Sequence, residues 1–384
     1  MVPAAIVSVA ALPLTPNGKL DRKALPDPDF AAGTALVPPE TETQALLCEL
    51  FQEVTGVAEL GVDHDFFELG GHSLSAMRLV ANLRRRTGKE IPLRMLFERP
   101  SPRRLATFID DGSLVPSYTP LLPLRRTGKQ PPLFCIHPAY GLAICYQTLA
   151  DQLDADIPVW GLQARGLESG EEPHASIDHM AEAYAEAILS VEPHGPYRLL
   201  GWSLGGHIAH AVACALEARG RPVSHLVLLD TPTAVSYSDG LPTEQDIDAD
   251  VLKHGAEELG FAPGEMPVER DQALEAIMNA AVAEGFLPEG VSLDVMKNMM
   301  ASFHRAPTLV QRHRLGRCRA PLILFVAGVE PEEDDVEGEF HWDRHTSSTV
   351  NTVTIDCPHL QMMYSENVGT IARELTRLLA SPAG

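Results

Sequence analysis

Basic side chains and closely spaced cysteines are scarce in this 384-residue sequence. It has 30 Lys and Arg against 52 Asp and Glu, which gives a net charge of −22. Because a phosphate backbone requires a basic face, this charge excludes nucleic acid as a partner and disfavours binding to anionic membranes. The six cysteines show no C-x-x-C spacing, so we expect neither a disulfide framework nor a metal site. Free thiols of this kind are typical of a reducing cytoplasm.

Long apolar runs are also missing. No run approaches the roughly 18 residues that a membrane span requires. Residues 1–14 are apolar, but they lack the basic start of a signal peptide. The content of 45% hydrophobic and 21% charged residues is typical of globular proteins, and the length indicates two or three domains. We therefore expect a monomeric cytoplasmic chain with no membrane partner.

One stretch carries a clear chemical pattern. A short apolar run, 197–200, leads into Gly201-Trp-Ser203-Leu-Gly205, and an Ala- and Val-rich helical sequence follows. Strand, tight turn and helix with a serine at the apex are typical of a nucleophile elbow. Gly201 and Gly205 have no Cβ, so strand and helix can approach closely around a strained serine. The alternative is a glycine-rich turn with an incidental serine.

Apolar strands and amphipathic helices alternate from residue 133 onward. This rhythm predicts an α/β fold with a mainly parallel sheet and helices on both faces. Between about 237 and 307 the rhythm is lost, and an acidic, Met-rich helical stretch predicts a lid over the catalytic edge. The predicted strands are 133–136, 159–162, 197–200, 225–229, 322–327 and 350–355.

A serine nucleophile needs a base and a carboxylate, which follow it in the order Ser, Asp or Glu, His in hydrolases of this fold. His359 follows the last predicted strand and is the candidate base. Asp230 ends a strand at the same edge as Ser203, and the acidic loop 330–335 offers alternative carboxylates. The other histidines lack this strand-end position, and His207 and His210 fit packing roles on the helix after Ser203.

An oxyanion hole needs two backbone N–H groups aimed at one point. Leu204, directly after the nucleophile, should supply one of them. The second should come from the loop after the first predicted strand, residues 135–141. Pro138 cannot donate, but it fixes the turn.

The N-terminal third predicts a separate helical bundle. Helical spacing is present over 40–56, 75–86 and 102–109, with a short piece at 93–97. Such a bundle buries a modest core and suits a docking module better than a catalyst. Ser73 stands at a predicted helix start, where by physics alone it is best explained as a cap.

Two segments outside the bundle and the catalytic fold are predicted linkers. Residues 27–39 are rich in Pro, Ala and Asp, and 113–131 contain Gly, Ser and Pro. We interpret the basic cluster of Arg125, Arg126 and Lys129 in the second as ordinary solvated residues.

The run Asp65-Phe-Phe-Glu-Leu-Gly-Gly-His-Ser73-Leu resembles the signature of peptidyl carrier proteins. This resemblance implies that Ser73 carries a covalent 4′-phosphopantetheine, installed by a phosphopantetheinyl transferase. Asn17-Gly-Lys19-Leu-Asp-Arg-Lys-Ala-Leu-Pro26 is similar to the last motif of adenylation domains in nonribosomal peptide synthetases. It implies a fragment of a longer assembly line, with upstream adenylation and condensation domains as partners and Lys19 as a remnant.

The C-terminal part resembles type I thioesterase domains of the α/β-hydrolase fold. Leu-Leu-Asp230-Thr-Pro, the H-P-x-x-G turn at 137–141 and the run 159–166 carry this resemblance. It implies Asp230 as the triad acid and the Ala139 N–H as the second oxyanion donor.

Together these observations predict the terminal module of a nonribosomal peptide synthetase, of the kind that makes antibiotics or siderophores. A carrier would hold the peptidyl thioester, and a Ser203–His359–Asp230 thioesterase would release it by hydrolysis or macrocyclisation. The alternatives are a general serine esterase or lipase with an unrelated helical domain, and a non-catalytic carrier module. The predicted segments are 1–26 (adenylation remnant), 27–39 (linker), 40–112 (carrier), 113–131 (linker) and 132–384 (thioesterase).

Overall fold

The computed structural model of the protein divides into two units, Met1–Pro116 and Ser117–Gly384. The predicted adenylation remnant and most of the first linker lie outside the described residues. Within the ranges that the structure describes, no helix combines the length and hydropathy needed to cross a bilayer. The described residues are 36–71, 73–87, 91, 95–96, 99–110, 120–167, 171–237, 241–259, 261–262, 264–283, 291–329 and 336–379.

The described residues of the N-terminal unit form three longer helices: α1 (Glu42–Thr55), α2 (Ser73–Thr87) and α3 (Pro102–Asp110). They confirm the helices predicted over 40–56, 75–86 and 102–109, whereas the piece at 93–97 is described only at two residues, both helical. The Thr41 side chain caps the start of α1, and Gly56 ends it in the left-handed conformation with φ 76°. Apolar side chains from all three helices are buried, among them Leu47, Leu50, Phe51, Leu79 and Leu105, and so is Phe66 of the loop between α1 and α2.

The C-terminal unit is built on a seven-stranded sheet with the strand order β1-β3-β2-β4-β5-β7-β9. β1 is antiparallel to β3, and the other neighbours are parallel, which confirms the predicted α/β fold with a mainly parallel sheet. All six predicted strands are present. The strands are β1 (Leu121–Arg125), β2 (Leu133–Ile136), β3 (Val159–Leu162), β4 (Tyr197–Trp202), β5 (Val223–Leu229), β7 (Leu322–Ala327) and β9 (Val350–Ile355), with β6 (Ala234–Tyr237) and β8 (Val336–Glu339) in a separate pair.

The linker predicted over 113–131 is wrong for residues 121–125, because these form β1 and belong to the sheet. Arg125, interpreted from the sequence as a solvated linker residue, is half-buried and donates to backbone carbonyls at the end of a neighbouring helix. Its guanidinium reaches the carbonyl oxygens of Ala150 (2.5 Å), Asp154 (2.6 Å) and Ile157 (2.6 Å). A planar fork of donors suits this role, because the last carbonyls of a helix lack partners within the helix.

Both faces of the sheet are covered, as buried strands of a parallel sheet require. Phe134 and Ile136 belong to the core formed with α5 and α6, while Leu133 and Cys135, on the opposite face of β2, are equally buried. The helices α5 and α6 pack against each other, as do α4 and α10. Their bounds are α4 (Gln147–Gln152), α5 (Ile177–Val191), α6 (Leu204–Ala218) and α10 (Ser365–Leu379).

Helices fill the described part of the segment that was predicted as a lid: α7 (Glu244–Glu258), α8 (Arg270–Ala283) and α9 (Leu293–Arg312). Asp248 on α7 joins them, accepting from His304 of α9 (2.8 Å) and from Arg270 of α8 (2.5 Å). Apolar side chains of these helices, including Met296 and Met299, pack on the loops that follow β2 and β3. The segment therefore lies over the carboxyl edge of the sheet.

Candidate active site

Ser203 lies in a sharp turn between β4 and α6. Its backbone has φ 56° and ψ −123°, a conformation that costs free energy for a residue with a side chain. The surrounding structure holds the turn: the Ser203 N–H donates to the Leu229 carbonyl (3.0 Å), and its carbonyl accepts from the Gly206 N–H (2.9 Å). The elbow geometry expected from the sequence is therefore present.

The two glycines of the elbow are required by close approach. A Cβ on Gly201 would collide with the Gly205 carbonyl, so strand and helix could not fold back on each other. A Cβ on Gly205 would lie 2.5 Å from the Ile136 carbonyl oxygen and 2.7 Å from that of His137. The start of α6 thus sits directly against the end of β2, which brings Leu204 near the loop that contains Ala139.

The structure brings Asp230 and His359 into direct contact. His359 Nδ1 donates to Asp230 Oδ2 at 2.6 Å, and the Ala327 N–H donates to Asp230 Oδ1 at 2.9 Å. Asp230 has φ 41°, and its N–H donates to the Phe325 carbonyl (2.7 Å), so the residue is held at the end of β5. The side chain of Asp230 is 11% exposed and that of His359 is 34% exposed. A carboxylate thus anchors one ring nitrogen while the imidazole remains reachable.

Ser203 makes no side-chain hydrogen bond to His359 within the described residues. Catalytic hydrogen bonds are often long in the absence of substrate and tighten when it binds. The neighbouring Trp202 positions the imidazole, since its ring centroid lies 5.6 Å from that of His359 at an interplanar angle of 39°. The three residues predicted from the sequence therefore lie at one edge of the sheet, on the ends of β4 and β5 and after β9.

Two backbone N–H groups near Ser203 have no acceptor in the part of the chain that the structure describes. They belong to Ala139 and Leu204, the residues predicted to form the oxyanion hole. The Leu204 N–H stands in the first turn of α6, where helix amides have no partner within the helix. Unpaired N–H groups at such an edge can donate hydrogen bonds to an oxygen atom on which negative charge develops.

Tyr146 was not identified from the sequence. Its hydroxyl donates to the Ile136 carbonyl (2.8 Å) and accepts from the Trp202 N–H (3.1 Å), so it joins the last residues of β2 and β4. Complete burial raises the pKa of the phenol well above its usual value, and the group stays protonated. Because Trp202 directly precedes Ser203, this bond fixes the distance between the elbow and the Ala139 loop. No motif marks such a tyrosine.

Helix α9 contacts the same loop. The Ser302 hydroxyl donates to the Ala139 carbonyl (2.7 Å), and the Phe303 ring lies 5.7 Å from that of Tyr140. Tyr140 in turn packs edge-on against Trp202 at 6.4 Å. An unbroken series of aromatic contacts therefore runs from α9 to the residue before Ser203.

His207 and His210 lie inside the protein behind the elbow, around the buried Trp342. Neither Nδ1 atom has a hydrogen-bond partner in the described residues. Burial lowers the pKa of His207 to about 3 and that of His210 to about 4. These rings pack as neutral groups, as their sequence position suggested.

These buried histidines predict a loss of stability in mild acid. Their pKa values are below the unfolded value of about 6.5, so between pH 6.5 and 4 the unfolded chain binds protons that the folded chain does not. Each histidine should therefore lower the free energy of unfolding by about 1.4 kcal/mol for every pH unit by which the pH falls within that range. Urea titrations of His207→Leu between pH 4.5 and 8 give the free energy of unfolding at each pH. Its slope against pH should correspond to about one proton fewer taken up on unfolding than in the wild type. At pH 8 the difference from wild type reports packing alone. An unchanged slope would contradict the assignment.

In the N-terminal unit, the loop before α2 is tightly closed. Asp65 Oδ1 accepts from the Phe67 N–H (2.8 Å), and the Gly71 N–H donates to the Phe66 carbonyl (2.9 Å). A Cβ on Gly71 would collide with the Phe66 ring. The chain then enters α2 at Ser73, its first residue. A serine at a helix start fits a phosphodiester such as that of phosphopantetheine, because helix N-termini favour anions.

Within the described residues, no group of three or more His, Cys, Asp or Glu side chains is arranged to hold a metal ion.

Comparison with known families places both units. The thioesterase domain family matches residues 131–379, and the chain belongs to this family. The phosphopantetheine attachment site family matches residues 45–109. One chain thus contains a thioesterase domain and a segment that matches the phosphopantetheine attachment site family.

Relatives that match nearly the whole chain include nonribosomal peptide synthetases. The chain is 38% identical over 379 residues to a dimodular nonribosomal peptide synthase of Bacillus subtilis, covering 98% of this chain and 16% of that protein. It is 39% identical over 234 residues to enterobactin synthase component F of Escherichia coli, covering 60% of this chain and 18% of that protein. The chain therefore spans about a sixth of the length of these relatives.

Solved structures agree with this assignment. One is holo-AB3403, a four-domain nonribosomal peptide synthetase bound to AMP and glycine. The match covers 100% of this chain and 29% of that chain, with a TM-score of 0.57 and 29% sequence identity. The Vlm2 thioesterase domain matches 67% of this chain with 96% of its own, at a TM-score of 0.54 and 24% identity, and so supports the fold.

Proposed function

We propose that this chain releases acyl groups from its own carrier domain by serine acyl transfer, as the end of a peptide assembly line. The 2.6 Å bond from His359 Nδ1 to Asp230 Oδ2, beside the strained elbow of Ser203, carries the proposal. A base held by a buried carboxylate next to a partly exposed serine nucleophile serves acyl transfer. The relatives are synthetases, which favours peptidyl thioesters as substrates over simple esters.

Ser73 is the proposed attachment site of phosphopantetheine. Its place at the start of α2, after the closed loop from Asp65 to Gly71, supports this role. When bound, phosphopantetheine supplies a flexible arm with a terminal thiol that holds the acyl group as a thioester. The first amides of α2 would hold its phosphodiester.

In the first step Ser203 Oγ attacks the carbonyl carbon of the thioester. His359 Nε2 takes the serine proton, and Asp230 stabilises the imidazolium through Nδ1. The carbonyl oxygen becomes an oxyanion, which the N–H groups of Ala139 and Leu204 hold. When the C–S bond breaks, the leaving thiolate receives the proton from His359, and the acyl group remains on Ser203 as an ester.

In the second step His359 deprotonates the acceptor, which attacks the ester carbonyl. With water the product is an acid, and with an amine or hydroxyl of the acyl chain it is a macrocycle. The same two N–H groups hold the second oxyanion, and Ser203 recovers its proton from His359. The helices α7, α8 and α9 act as the lid that controls water access, a role supported by the contacts of Ser302 and Phe303 with the Ala139 loop.

The remaining parts follow from the same proposal. Residues 1–26 are the end of an adenylation domain, and upstream adenylation and condensation domains supply the acyl chain. The carrier, residues 40–112, is proposed to be a four-helix bundle in which α1, α2 and α3 are the longer helices. The thioesterase domain begins with β1 rather than at residue 132, because β1 pairs with β3.

Modification of Ser73 tests the carrier half. Incubation with a phosphopantetheinyl transferase and fluorescent coenzyme A should label the wild type in full and Ser73→Ala not at all. The exposed Ser190 is a matched control, and Ser190→Ala should label as the wild type does. The labelled peptide is identified by mass spectrometry. Label in Ser73→Ala, or none in the wild type, would exclude Ser73 as the site.

A further inference from the structure

His137 has no part in the proposed reaction, yet both of its ring nitrogens are engaged. The residue is 1% exposed. Nδ1 lies 2.8 Å from the Pro138 carbonyl oxygen, and Nε2 lies 2.8 Å from the Tyr184 hydroxyl. Tyr184 belongs to α5, is fully buried, and packs edge-on against the imidazole at 5.8 Å. This pair therefore links a packed helix to the loop that precedes Ala139.

The chemistry of the neighbours fixes the tautomer of His137. A carbonyl oxygen can only accept, so Nδ1 carries the proton and donates it to Pro138. Burial lowers the pKa of His137 to about 4, and the ring is neutral at ordinary pH. Nε2 is then an acceptor, and it faces the Tyr184 hydroxyl, whose single proton also lies within reach of the Gln163 carbonyl oxygen at 3.1 Å. The orientation of the ring follows from these two bonds.

The bond to Pro138 acts on the neighbouring amide. The Pro138 carbonyl and the Ala139 N–H belong to one planar peptide group, which is trans, so they point in opposite directions. The Gly141 N–H also donates to the Pro138 oxygen, at 3.0 Å. The two donors that hold the Pro138 carbonyl oxygen therefore also set the direction of the Ala139 N–H, on the opposite side of the same peptide group. A carbonyl that accepts two hydrogen bonds is also polarised, which strengthens its N–H as a donor.

We propose that His137, oriented by Tyr184, is a positioning residue that aims the Ala139 N–H at the oxyanion. The inference rests on the proposed role of Ala139 in acyl transfer. His137 touches neither substrate nor nucleophile and acts only through the Pro138–Ala139 peptide.

Two substitutions at His137 separate this role from packing. Asparagine can place its side-chain NH₂ close to the position of Nδ1, whereas leucine fills the space without a donor. With octanoyl-N-acetylcysteamine as substrate, His137→Leu should lower kcat by about 30- to 100-fold, somewhat less than the loss of a whole oxyanion donor, and leave KM unchanged. His137→Asn should stay within about fivefold of the wild type, and Tyr184→Phe should lose about fivefold because the ring is no longer held.

A second readout reports on the oxyanion itself. A trifluoromethyl ketone forms a bond from its carbonyl carbon to Ser203 Oγ, the serine proton passes to His359, and the carbonyl oxygen becomes an oxyanion. Its affinity should fall in His137→Leu by the same factor as kcat/KM. A residue that only stabilises the fold would lower the melting temperature without this proportionality.

Several results would overturn the inference. One is a kcat of His137→Leu that stays within threefold of the wild type. A second is a kcat of His137→Asn that is as low as that of His137→Leu. A third is a ketone affinity of His137→Leu that is unchanged although its kcat is reduced. If circular dichroism shows that His137→Leu is unfolded, the test rests on Tyr184→Phe. Wild-type kinetics in Tyr184→Phe would then overturn the proposal. Failure of the proposed function looks different, because then the wild type itself would not cleave the thioester or react with a fluorophosphonate.

Discussion

Ser203→Ala is expected to slow release of an acyl group by about 10⁶-fold, the loss seen when a serine nucleophile acting with its base is removed. Without Oγ no acyl-enzyme can form, and His359 has no hydroxyl to activate. What remains is attack by water on a thioester held near Ala139 and Leu204. Single-turnover hydrolysis of octanoyl-N-acetylcysteamine measures the loss, and reaction with a fluorophosphonate should disappear in parallel.

Ser190→Ala provides the matched control, because Ser190 is exposed on α5 and its hydroxyl only bonds a carbonyl of its own helix. It should react like the wild type in both assays. Hydrolysis by Ser203→Ala within tenfold of the wild type would mean that another group is the nucleophile. Fluorophosphonate labelling of another serine at the wild-type rate would lead to the same conclusion.

Asp230→Asn is expected to lower kcat by about 10⁴-fold. The reason lies in the two contacts of the carboxylate. Because the Ala327 N–H donates to Oδ1, the asparagine oxygen should remain there, and its NH₂ should face His359. The imidazole must then accept at Nδ1 and carry its proton on Nε2, so it can no longer take the proton of Ser203. KM should change little, because the substrate does not contact this residue.

Asp343→Asn removes a carboxylate from an exposed turn and should leave kcat unchanged. The rate of Asp230→Asn should recover in part at high pH, where hydroxide can replace the general base. A loss of less than tenfold in a variant whose circular dichroism matches the wild type would exclude Asp230 as the triad acid.

The position of the proposed nucleophile, Ser203, was predictable because its signals are local. The apolar run before Gly201, the two glycines and the helical sequence after Ser203 define strand, turn and helix within twenty residues. The strand before His359 is equally local. A parallel sheet then brings the ends of such strands to one edge without further information from the sequence.

Asp230 was harder to choose from the sequence because the acidic loop 330–335 follows the next strand of the same sheet. That loop lies outside the described residues. Only the fold reveals the bond to His359, since 129 positions separate the two residues. Family resemblance, rather than spacing, favoured Asp230.

Other features of the site depend on tertiary contacts that leave no pattern. Arg125 looks like a linker residue until β1 pairs with β3 and its side chain meets the end of α4. Tyr146 sits in a short turn with no motif, yet it joins the ends of β2 and β4. In both cases a long side chain satisfies backbone groups from distant segments, and these segments are adjacent only in the folded chain.

The central claim is that acyl groups pass from Ser73 to Ser203 before they leave the chain. A phosphopantetheinyl transferase and octanoyl-coenzyme A load the apo protein, and quenched samples are digested and analysed by mass spectrometry over time. The account predicts that the octanoyl group declines on the Ser73 peptide, rises and falls on the Ser203 peptide, and emerges as octanoate, while Ser203→Ala keeps it on Ser73. Octanoate appearing at the same rate in Ser203→Ala, with no acyl group ever on the Ser203 peptide, would contradict the account.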